Sequence, residues 1–449
     1  MEKKDIQKMI SEIEKENSIF SKKANLETLS FPPKIIGRQD KAKELVRILL
    51  SHRQGFVVPY VSVYGRSGCG KSTVVRYVCQ NIDDIEFCFV NLRRAKTVFG
   101  CANLILAELG KQNLKSAQGI NLAVDEIGKT ISETLDGTKK NLFVLVLDEL
   151  DVLFYDKRGR PSDFVYKLII LEEKLKEKNH LLCIIGITNN VLSEYDLDER
   201  VRSRIGSSEI FFEAYSKKDV LSILQDRAKN SFAKPVDNAV LEYCAKISSS
   251  EHGDARRAID LLRVGAEIAS LKNEPLSVIH IDSASLHLQK DRVQQILSTG
   301  SFHFKLVASA LARITFLSDN DWHATSSIFK QYGMILNKDE KPLGYRRVSE
   351  ILVDIANSGI AVSNTSSKGR GGYGTQYKLT VSPEMIGKTC FAEWWAGVEK
   401  RKKEHEIEKK DLKTKKQLHV GPSRHLKNLD NILENLYEKS WSDFSGLDK

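Results

Sequence analysis

The residues best suited to chemistry form a glycine-rich run: residues 65–72 read Gly-Arg-Ser-Gly-Cys-Gly-Lys-Ser, the pattern of a phosphate-binding loop. Its glycines allow successive backbone N–H groups to face phosphate oxygens, and a following helix N-terminus adds partial positive charge. Lys71 would neutralise the β- and γ-phosphates, and Ser72 would ligate Mg²⁺. The run therefore predicts an ATP and Mg²⁺ site whose nucleotide contacts are Gly65, Gly68, Cys69, Gly70, Lys71, Ser72 and Thr73.

Two adjacent carboxylates follow the apolar run Leu142–Leu147. At the end of a buried strand they would do different work: Asp148 can hold Mg²⁺, while Glu149 can orient and deprotonate an attacking water. An Asp-Glu pair after a strand is common by chance. Because a phosphate-binding loop lies upstream, we interpret Asp148 and Glu149 as catalytic together with Lys71.

Further polar residues stand where they could reach the same phosphates. A second apolar run, Leu181–Ile187, is followed by Asn189, whose amide could bond the γ-phosphate or the attacking water, although such an asparagine is usually a turn residue. Arginines also occur before the last apolar run (Arg200, Arg202 and Arg204) and at the start of the helical stretch 254–271 (Arg256 and Arg257). Arginines in such places either pair with surface acids or reach phosphate charge.

Strand-length apolar runs alternate with helical stretches and must position these residues. Buried parallel strands have this composition, so the alternation predicts an α/β doubly wound sheet. The runs are Tyr60–Tyr64, Phe87–Asn91, Leu142–Leu147, Leu181–Ile187 and Glu209–Phe212. After Tyr215 the pattern becomes helical through 217–232, 236–247 and 254–271, which predicts a small helical domain.

Residues 291–383 predict three helices and a β-hairpin, the order of a winged helix. In the third helix, apolar positions 348, 351, 352 and 355 share one face, and Arg346 and Arg347 face outward at its start. Strands 360–365 and 375–381 flank a glycine-rich loop that carries Lys368 and Arg370. These four basic residues predict contacts with duplex DNA, although winged helices also bind proteins and Gly-Arg-Gly loops can be merely flexible.

Composition sets the outer limits. The chain has 449 residues, a net charge of +10 and a pI of about 9.0, so two or three domains and a polyanionic partner are compatible with it. Seven cysteines without a CxxC pair favour a reducing cytosol. The charged N-terminus is not a signal peptide, and no apolar run approaches the ~20 residues that span a bilayer. We expect a cytoplasmic protein without a membrane partner.

Several motifs together resemble a known family: GRSGCGKS, LDELD, ITNN, LDERVRSRIG and GDARRAIDLLR, in this order. They are similar to the AAA+ superfamily and, more narrowly, to archaeal-type origin recognition complex and cell division control protein initiators, over about residues 31–385. The resemblance implies that Asn189 is the sensor-1 residue and Arg256 the sensor-2 residue of a lid. Tyr215 and Arg227 would close over the nucleotide, and Arg204 would be the arginine finger for a neighbouring subunit, with Arg200 and Arg202 as alternatives.

The resemblance also implies an organisation and a function. We expect an arm (1–30), an AAA+ domain (31–215), a lid (216–288), a winged helix (289–385) and a charged tail (386–449). The protein would bind origin DNA, helped by an extra helix near Asn113–Glu126, and would help load a replicative helicase, alone or with related subunits. Slow ATP hydrolysis would act as a switch. A signalling ATPase whose winged helix contacts proteins and a clamp-loader subunit are the alternatives.

Overall fold

The structure is a computed structural model that describes residues 5–6, 19–27, 31–195, 197–205, 208–250, 253–318, 320–336, 340–367 and 373–418. It divides into two units, residues 1–284 and 285–449. Lys368, Arg370, most of the predicted N-terminal arm and the end of the predicted tail lie outside the described residues.

One parallel sheet of five strands forms the centre of the first unit, in the order β2-β3-β4-β1-β5. The strands are β1 (Tyr60–Gly65), β2 (Ile85–Asn91), β3 (Leu142–Asp148), β4 (Leu181–Thr188) and β5 (Glu209–Phe212). All five predicted runs are confirmed, with ends that differ by two residues at most. Every residue of β3 and β4 is buried, which explains their continuous apolar sequence.

Helices cover both faces of this sheet. The helices are α1 (Gln39–Leu50), α2 (Lys71–Gln80), α3 (Val98–Glu108), α4 (Gly119–Thr138), α5 (Pro161–Lys176) and α6 (Glu199–Ile205). Alternate residues of β3 enter two different apolar clusters: Leu145 and Leu147 pack with α3, α4 and α5, whereas Val144 and Val146 pack with α1 and α2. Short 3₁₀ helices lie at Lys23–Leu26, Ser51–Gln54, Leu92–Arg94, Ser116–Gln118, Leu150–Tyr155, Lys157–Gly159 and Leu192–Glu194.

The lid consists of three further helices, α7 (Lys217–Ser231), α8 (Asn238–Ser250) and α9 (Ala255–Leu271). Helix α7 begins in a capping box, in which the Ser216 hydroxyl accepts from the Asp219 N–H and the Asp219 carboxylate accepts from the Ser216 N–H. The Asp254 carboxylate caps α9 by accepting from the N–H groups of Arg256 and Arg257. Polar capping residues therefore fix where two lid helices begin.

Residues 19–27, which we name the N-terminal strap, lie on the lid. Phe20 forms an antiparallel bridge with Phe232, and the N–H of Ser21 donates to the Ser231 carbonyl at 2.8 Å. Lys23 Nζ lies 3.1 Å from Glu267 Oε1 of α9, and Leu26 is fully buried. The strap thus contacts both the first and the last helix of the lid.

The second unit has the predicted order of three helices and a hairpin, with a short additional strand. The elements are α10 (Val278–Thr299), which contains the boundary between the units, α11 (Phe302–Leu317), β6 (His323–Ala324), α12 (Thr325–Ile335), α13 (Tyr345–Asn357), β7 (Ala361–Ser367), β8 (Tyr373–Leu379), α14 (Pro383–Cys390) and α15 (Ala392–Leu418). The additional strand, β6, pairs with β8. All four apolar positions predicted for one face of the third helix, α13, are buried.

The core of the second unit continues beyond residue 385. Trp395 is fully buried and Trp394 nearly so, and both belong to the apolar cluster that includes α13. The two tryptophans thus complete the core of the second unit. The seven cysteines are free thiols and six are buried. Within the described residues, no helix combines the length and apolar composition that crossing a bilayer requires.

Candidate nucleotide-binding and DNA-binding sites

The phosphate-binding loop joins β1 to α2 and faces the lid. Gly68 and Gly70 have φ angles of +75° and +93°, in the left-handed region that favours glycine. A Cβ on Gly70 would collide with the Tyr215 hydroxyl, and one on Gly68 with the Asp254 carboxylate. Glycine at these two positions therefore allows both the loop conformation and the close approach of the lid.

Lys71 is buried and held against the loop by its ammonium group. Its Nζ donates to the carbonyls of Gly65 (2.5 Å) and Arg66 (2.8 Å) and to Oδ1 of Asn189 (3.3 Å). Burial lowers the pKa of Lys71 below its ordinary value, and the nearby guanidinium of Arg256 lowers it further, against the opposing effect of the carboxylates of Asp148 and Asp151. The structure thus brings together two residues that the sequence predicted from motifs 118 positions apart.

The residues predicted to bind magnesium also meet. The Ser72 hydroxyl donates to Asp148 Oδ1 at 2.9 Å, and the Asn91 amide donates to Asp148 Oδ2 at 3.1 Å. Asn91 ends β2 directly opposite Asp148 in the strand register. One hydroxyl and one carboxylate fit Mg²⁺, which prefers oxygen ligands and keeps several waters. No cluster of three or more His, Cys, Asp or Glu residues suited to a metal occurs in the described part of the chain.

Glu149 has a strained backbone beside this carboxylate. Its φ of +55° is uncommon for a residue with a side chain and costs about 1 kcal/mol or more. The turn directs the chain into the 3₁₀ helix Leu150–Tyr155, and Glu149 Oε1 lies 3.4 Å from Arg93 Nη1. Glu149 lines the same cleft as Lys71, Ser72 and Asp148.

Asn189 follows β4 and contacts a carboxylate to which the sequence analysis assigned no role. Its Nδ2 donates to Asp151 Oδ2 at 3.2 Å. Asp151 is only 8% exposed, and its Oδ1 has no hydrogen-bond partner among the described residues. The sequence feature that could have identified Asp151 is its place as the last residue of the LDELD motif.

The lid supplies residues to two neighbouring pockets. Arg256 lines the cleft of Lys71 and Asp148, and its Nη1 lies 3.5 Å from the Ser67 hydroxyl. Tyr215 and Arg227 line an adjacent pocket with apolar walls from Ile35, Ile36, Val74, Ile223 and Ile259. Gly68, Gly70 and Thr73 of the loop reach this second pocket. Apolar walls of this kind suit a nucleotide base.

Arg38 lies beside Tyr215 and the phosphate-binding loop. Its Nε donates to the Cys69 carbonyl at 3.1 Å, and another nitrogen donates to the Glu213 carbonyl. Its guanidinium carbon lies 4.0 Å from the ring centre of Tyr215. Burial raises the pKa of Tyr215. Arg38 therefore ties the phosphate-binding loop to the segment that leads into the lid.

In the second unit, the basic residues predicted for the third helix lie at its exposed start. Arg346 and Arg347 are the second and third residues of α13, with side chains 95% and 61% exposed. Both guanidinium groups approach Glu350, at 3.4 Å and 2.7 Å, and Arg347 above all lowers the pKa of that carboxyl. The surface of α13 thus presents two exposed arginines that form ion pairs with Glu350.

Three domain models match the chain: the ATPase family associated with various cellular activities (AAA) over residues 61–213, the Cdc6 AAA+ ATPase-type lid domain over 221–284, and the CDC6 C-terminal winged-helix domain over 295–389. An ORC1-type DNA replication protein of Desulfurococcus amylolyticus is 30% identical over 379 residues, 82% of this chain and 93% of that protein. The chain belongs to the ORC1-type DNA replication protein family.

Other relatives agree with this ORC1-type assignment. ORC1-type DNA replication protein 1 of Sulfolobus acidocaldarius is 30% identical over 383 residues, 84% of this chain and 94% of that protein. The Aeropyrum pernix ORC1 protein, solved in complex with DNA, superposes with a TM-score of 0.68 at 27% identity, over 83% of this chain and 97% of that one. The predicted fold, an α/β AAA+ module with a helical lid and a C-terminal winged helix, is confirmed, and membership of the AAA family implies nucleotide binding.

In this ORC1-type chain, the three arginines before β5 lie away from the chain's own nucleotide cleft. Arg200 pairs with Asp198 at 2.7 Å and lowers the pKa of that carboxyl to about 2, and Arg204 pairs with Glu173 at 2.9 Å. Arg202 is exposed. Arg204 as an arginine finger stays a prediction, since such a residue would act on a second subunit.

The predicted extra DNA contact, Asn113–Glu126, is only partly helical. It comprises an irregular segment (113–115), the 3₁₀ helix Ser116–Gln118 and the first two turns of α4. Ala123 and Val124 are buried in the core, whereas Leu122 is exposed. Its role in DNA binding stays a prediction.

Proposed function

We propose that this protein is an ATP-dependent initiator of DNA replication that binds duplex origin DNA and uses slow ATP hydrolysis as a switch. The observation that carries the proposal is the composition of the nucleotide cleft. Arg256 of the lid lines the same cleft as Lys71 and Ser72 of α2 and Asp148 of β3. Because the lid and the sheet-bearing domain each contribute a cation, Arg256 and Lys71, a bound triphosphate would draw the two together.

Each predicted residue has a position that suits its proposed role. Lys71 and Arg256 would bind the phosphates, and Ser72 and Asp148 would hold Mg²⁺, which neutralises charge on the phosphate oxygens when bound. Glu149 would orient and deprotonate the attacking water, and Asn189 would bond the γ-phosphate or that water. The base would lie against Tyr215 and Arg227.

Hydrolysis would be slow in a single subunit. Arg204 is paired with Glu173 and lines neither pocket of its own chain. An arginine supplied by a neighbouring copy or a related subunit would complete the charge stabilisation around the γ-phosphate. ATP hydrolysis would then report assembly, which suits a switch better than a metabolic enzyme.

The DNA contact is assigned to the second unit. Exposed Arg346 and Arg347 stand at the start of α13, the helix that in a winged helix enters the major groove. The chain carries a net charge of +10, and the similar Aeropyrum pernix ORC1 protein was solved in complex with DNA. Lys368 and Arg370 would add wing contacts. Recruitment of a replicative helicase in the cytoplasm completes the proposal.

Duplex binding with ATP and with ADP tests this function. If about six phosphates are contacted, affinity falls about a thousandfold between about 50 and 200 mM salt. Arg346→Ala is expected to reduce the slope of log affinity against log salt by about one. Lys388→Ala is the charge-matched control, because Lys388 is an exposed lysine on α14 paired with Glu399.

The same titration separates the alternatives. A salt response that is flat and unchanged by Arg346→Ala would reject DNA binding by α13 and favour a signalling ATPase whose winged helix contacts proteins. Binding that depends on salt but is the same with ATP, ADP or no nucleotide would reject the switch. Selective binding to one duplex over scrambled duplexes of equal length is expected of an origin-binding protein.

A further inference from the structure

Asn189 lies between an ammonium group and a carboxylate. Its Oδ1 accepts from Lys71 Nζ at 3.3 Å, and its Nδ2 donates to Asp151 Oδ2 at 3.2 Å. An ammonium group can only donate, and an ionised carboxylate can only accept. A flipped amide would therefore set its oxygen against the carboxylate and its NH₂ against the ammonium, so the two partners together select one orientation.

We infer that Asp151 is a positioning residue for ATP hydrolysis, acting by holding the Asn189 amide with its NH₂ group available to the γ-phosphate end of the nucleotide. The inference rests on the proposed ATPase function. Nδ2 has two N–H groups, and Asp151 takes one of them. The other can donate to a phosphate oxygen or to the attacking water, which the amide oxygen could not do for a phosphate.

The need for Asp151 follows from what Lys71 must do. While Lys71 bonds Asn189, either neighbour could fix the amide. Once the ammonium of Lys71 turns to the phosphates of ATP, Oδ1 of Asn189 loses its donor. Asp151 is then the group that prevents the amide from flipping, because it does not itself have to move when ATP binds.

A purely structural role fits Asp151 less well than it fits Asp156, which follows in the same segment. The Asp156 carboxylate accepts from the backbone N–H groups of Val98 (2.9 Å) and Gly159 (3.1 Å) and so fixes loop conformation. Among the residues that the structure describes, the Asn189 amide is the hydrogen-bond partner of Asp151, and Asp151 Oδ1 is buried without one. A buried carboxylate this sparsely bonded costs stability, which favours a functional reason for its presence.

The test compares four variants of the full chain: Asp151→Ala, Asp151→Asn, Asn189→Ala and the double variant Asp151→Ala/Asn189→Ala. We expect Asp151→Ala to lower kcat about tenfold, a size typical of residues that orient a functional group. Asp151→Asn should recover part of this loss, because its amide oxygen can still accept from Asn189. The double variant should be no slower than Asn189→Ala, since Asp151 acts through Asn189.

Nucleotide affinities give a readout that a structural defect would not produce. ADP lacks the γ-phosphate, so its affinity should be unchanged in Asp151→Ala, while the preference for ATP over ADP should fall by the same factor in Asp151→Ala and Asn189→Ala. Asp156→Ala is the control for loop damage: it should lower the unfolding temperature without changing the ATP to ADP preference.

Losses that add in the double variant, or an Asp151→Ala variant that keeps the full kcat and the full preference for ATP, would overturn the inference. Its failure can be told from failure of the proposed function. If the wild type binds ATP without hydrolysing it, the ATPase proposal fails, and the affinity ratios alone decide the role of Asp151: a ratio lowered equally in Asp151→Ala and Asn189→Ala supports it, and an unchanged ratio rejects it.

Discussion

The two units hold their functional side chains in different ways. In the nucleotide cleft, hydrogen bonds connect the predicted residues to one another: Lys71 to Asn189, and Ser72 to Asp148. On α13 of the second unit, Arg346 and Arg347 project into solvent and form ion pairs with Glu350. The first arrangement is buried and connected, and the second is exposed and adjustable.

The difference follows from the ligand each unit is proposed to bind. Phosphoryl transfer requires groups fixed to within a fraction of an ångström, so their positions are set by neighbouring side chains. A DNA backbone repeats its charge along its length, so affinity depends mainly on how many cations reach it. Removing one side chain should consequently lower ligand affinity far more in the nucleotide cleft than on α13.

The largest expected effect is a loss of ATP affinity in Lys71→Ala. A hydrogen bond to a charged group contributes about 3 kcal/mol, so ATP affinity should fall about a hundredfold, measured by calorimetric titration. All four tryptophans lie in residues 285–449, so the fluorescence unfolding curve reports the second unit. That curve should not change. A variant that binds ATP like the wild type would show that Lys71 is not a phosphate ligand.

Arg38→Ala should have a smaller effect of the same kind. Arg38 lines neither pocket but bonds the carbonyls of Cys69 and Glu213, so its loss should loosen the loop and lower ATP affinity about tenfold. Arg38→Lys should not restore the affinity, because one ammonium cannot reproduce the planar fork that bonds two carbonyls and stacks on Tyr215. Arg53→Ala, which removes an exposed partner of Asp84, serves as the control. Equal affinity in Arg38→Ala and Arg53→Ala would contradict the bracing role.

The smallest expected effect is a pH dependence confined to the second unit. Burial lowers the pKa of His323 on β6 below its ordinary value of 6.5. The unfolded chain therefore takes up a proton near pH 6.5 that the folded chain does not, and stability falls as pH drops from 6.5 towards the folded pKa. Tryptophan-monitored unfolding of His323→Gln should lose this component of the pH dependence. An identical pH profile in wild type and variant would show that His323 does not contribute.

The strands, the helices and the phosphate-binding loop could be predicted because each is encoded by contiguous residues. Strands β3 and β4 are continuous apolar runs, since they are buried on both sides, and residues 65–72 form a loop whose glycines are needed for its own conformation. Local rules of this kind need no knowledge of the tertiary structure. The third helix of the second unit was predicted for the same reason, from the spacing of its apolar face.

Asn91, Arg38 and Asp151 were missed because their partners come from distant parts of the chain. Asn91 reaches Asp148 only because β2 and β3 are neighbours in the sheet and pair in this register. The sequence of neither strand indicates which strands are neighbours. Arg38 donates hydrogen bonds to the carbonyls of Cys69 and Glu213, which lie 31 and 175 positions away in the sequence. Asn91 is a single polar residue at the end of β2, and nothing local to it indicated a contact with Asp148.

The strap on the lid has a mechanical consequence. The lid is joined to the sheet-bearing part of the first unit both by the segment from β5 into α7 and by the chain that runs from the strap to α1. A body tied by one tether can turn about any axis, whereas a body tied by two turns freely only about the line between them. Rotation about that line, which opens and closes the lid over the nucleotide, leaves both connections in place, whereas a sideways slip of Arg256 past Lys71 would have to break the hydrogen bonds between the strap and the lid.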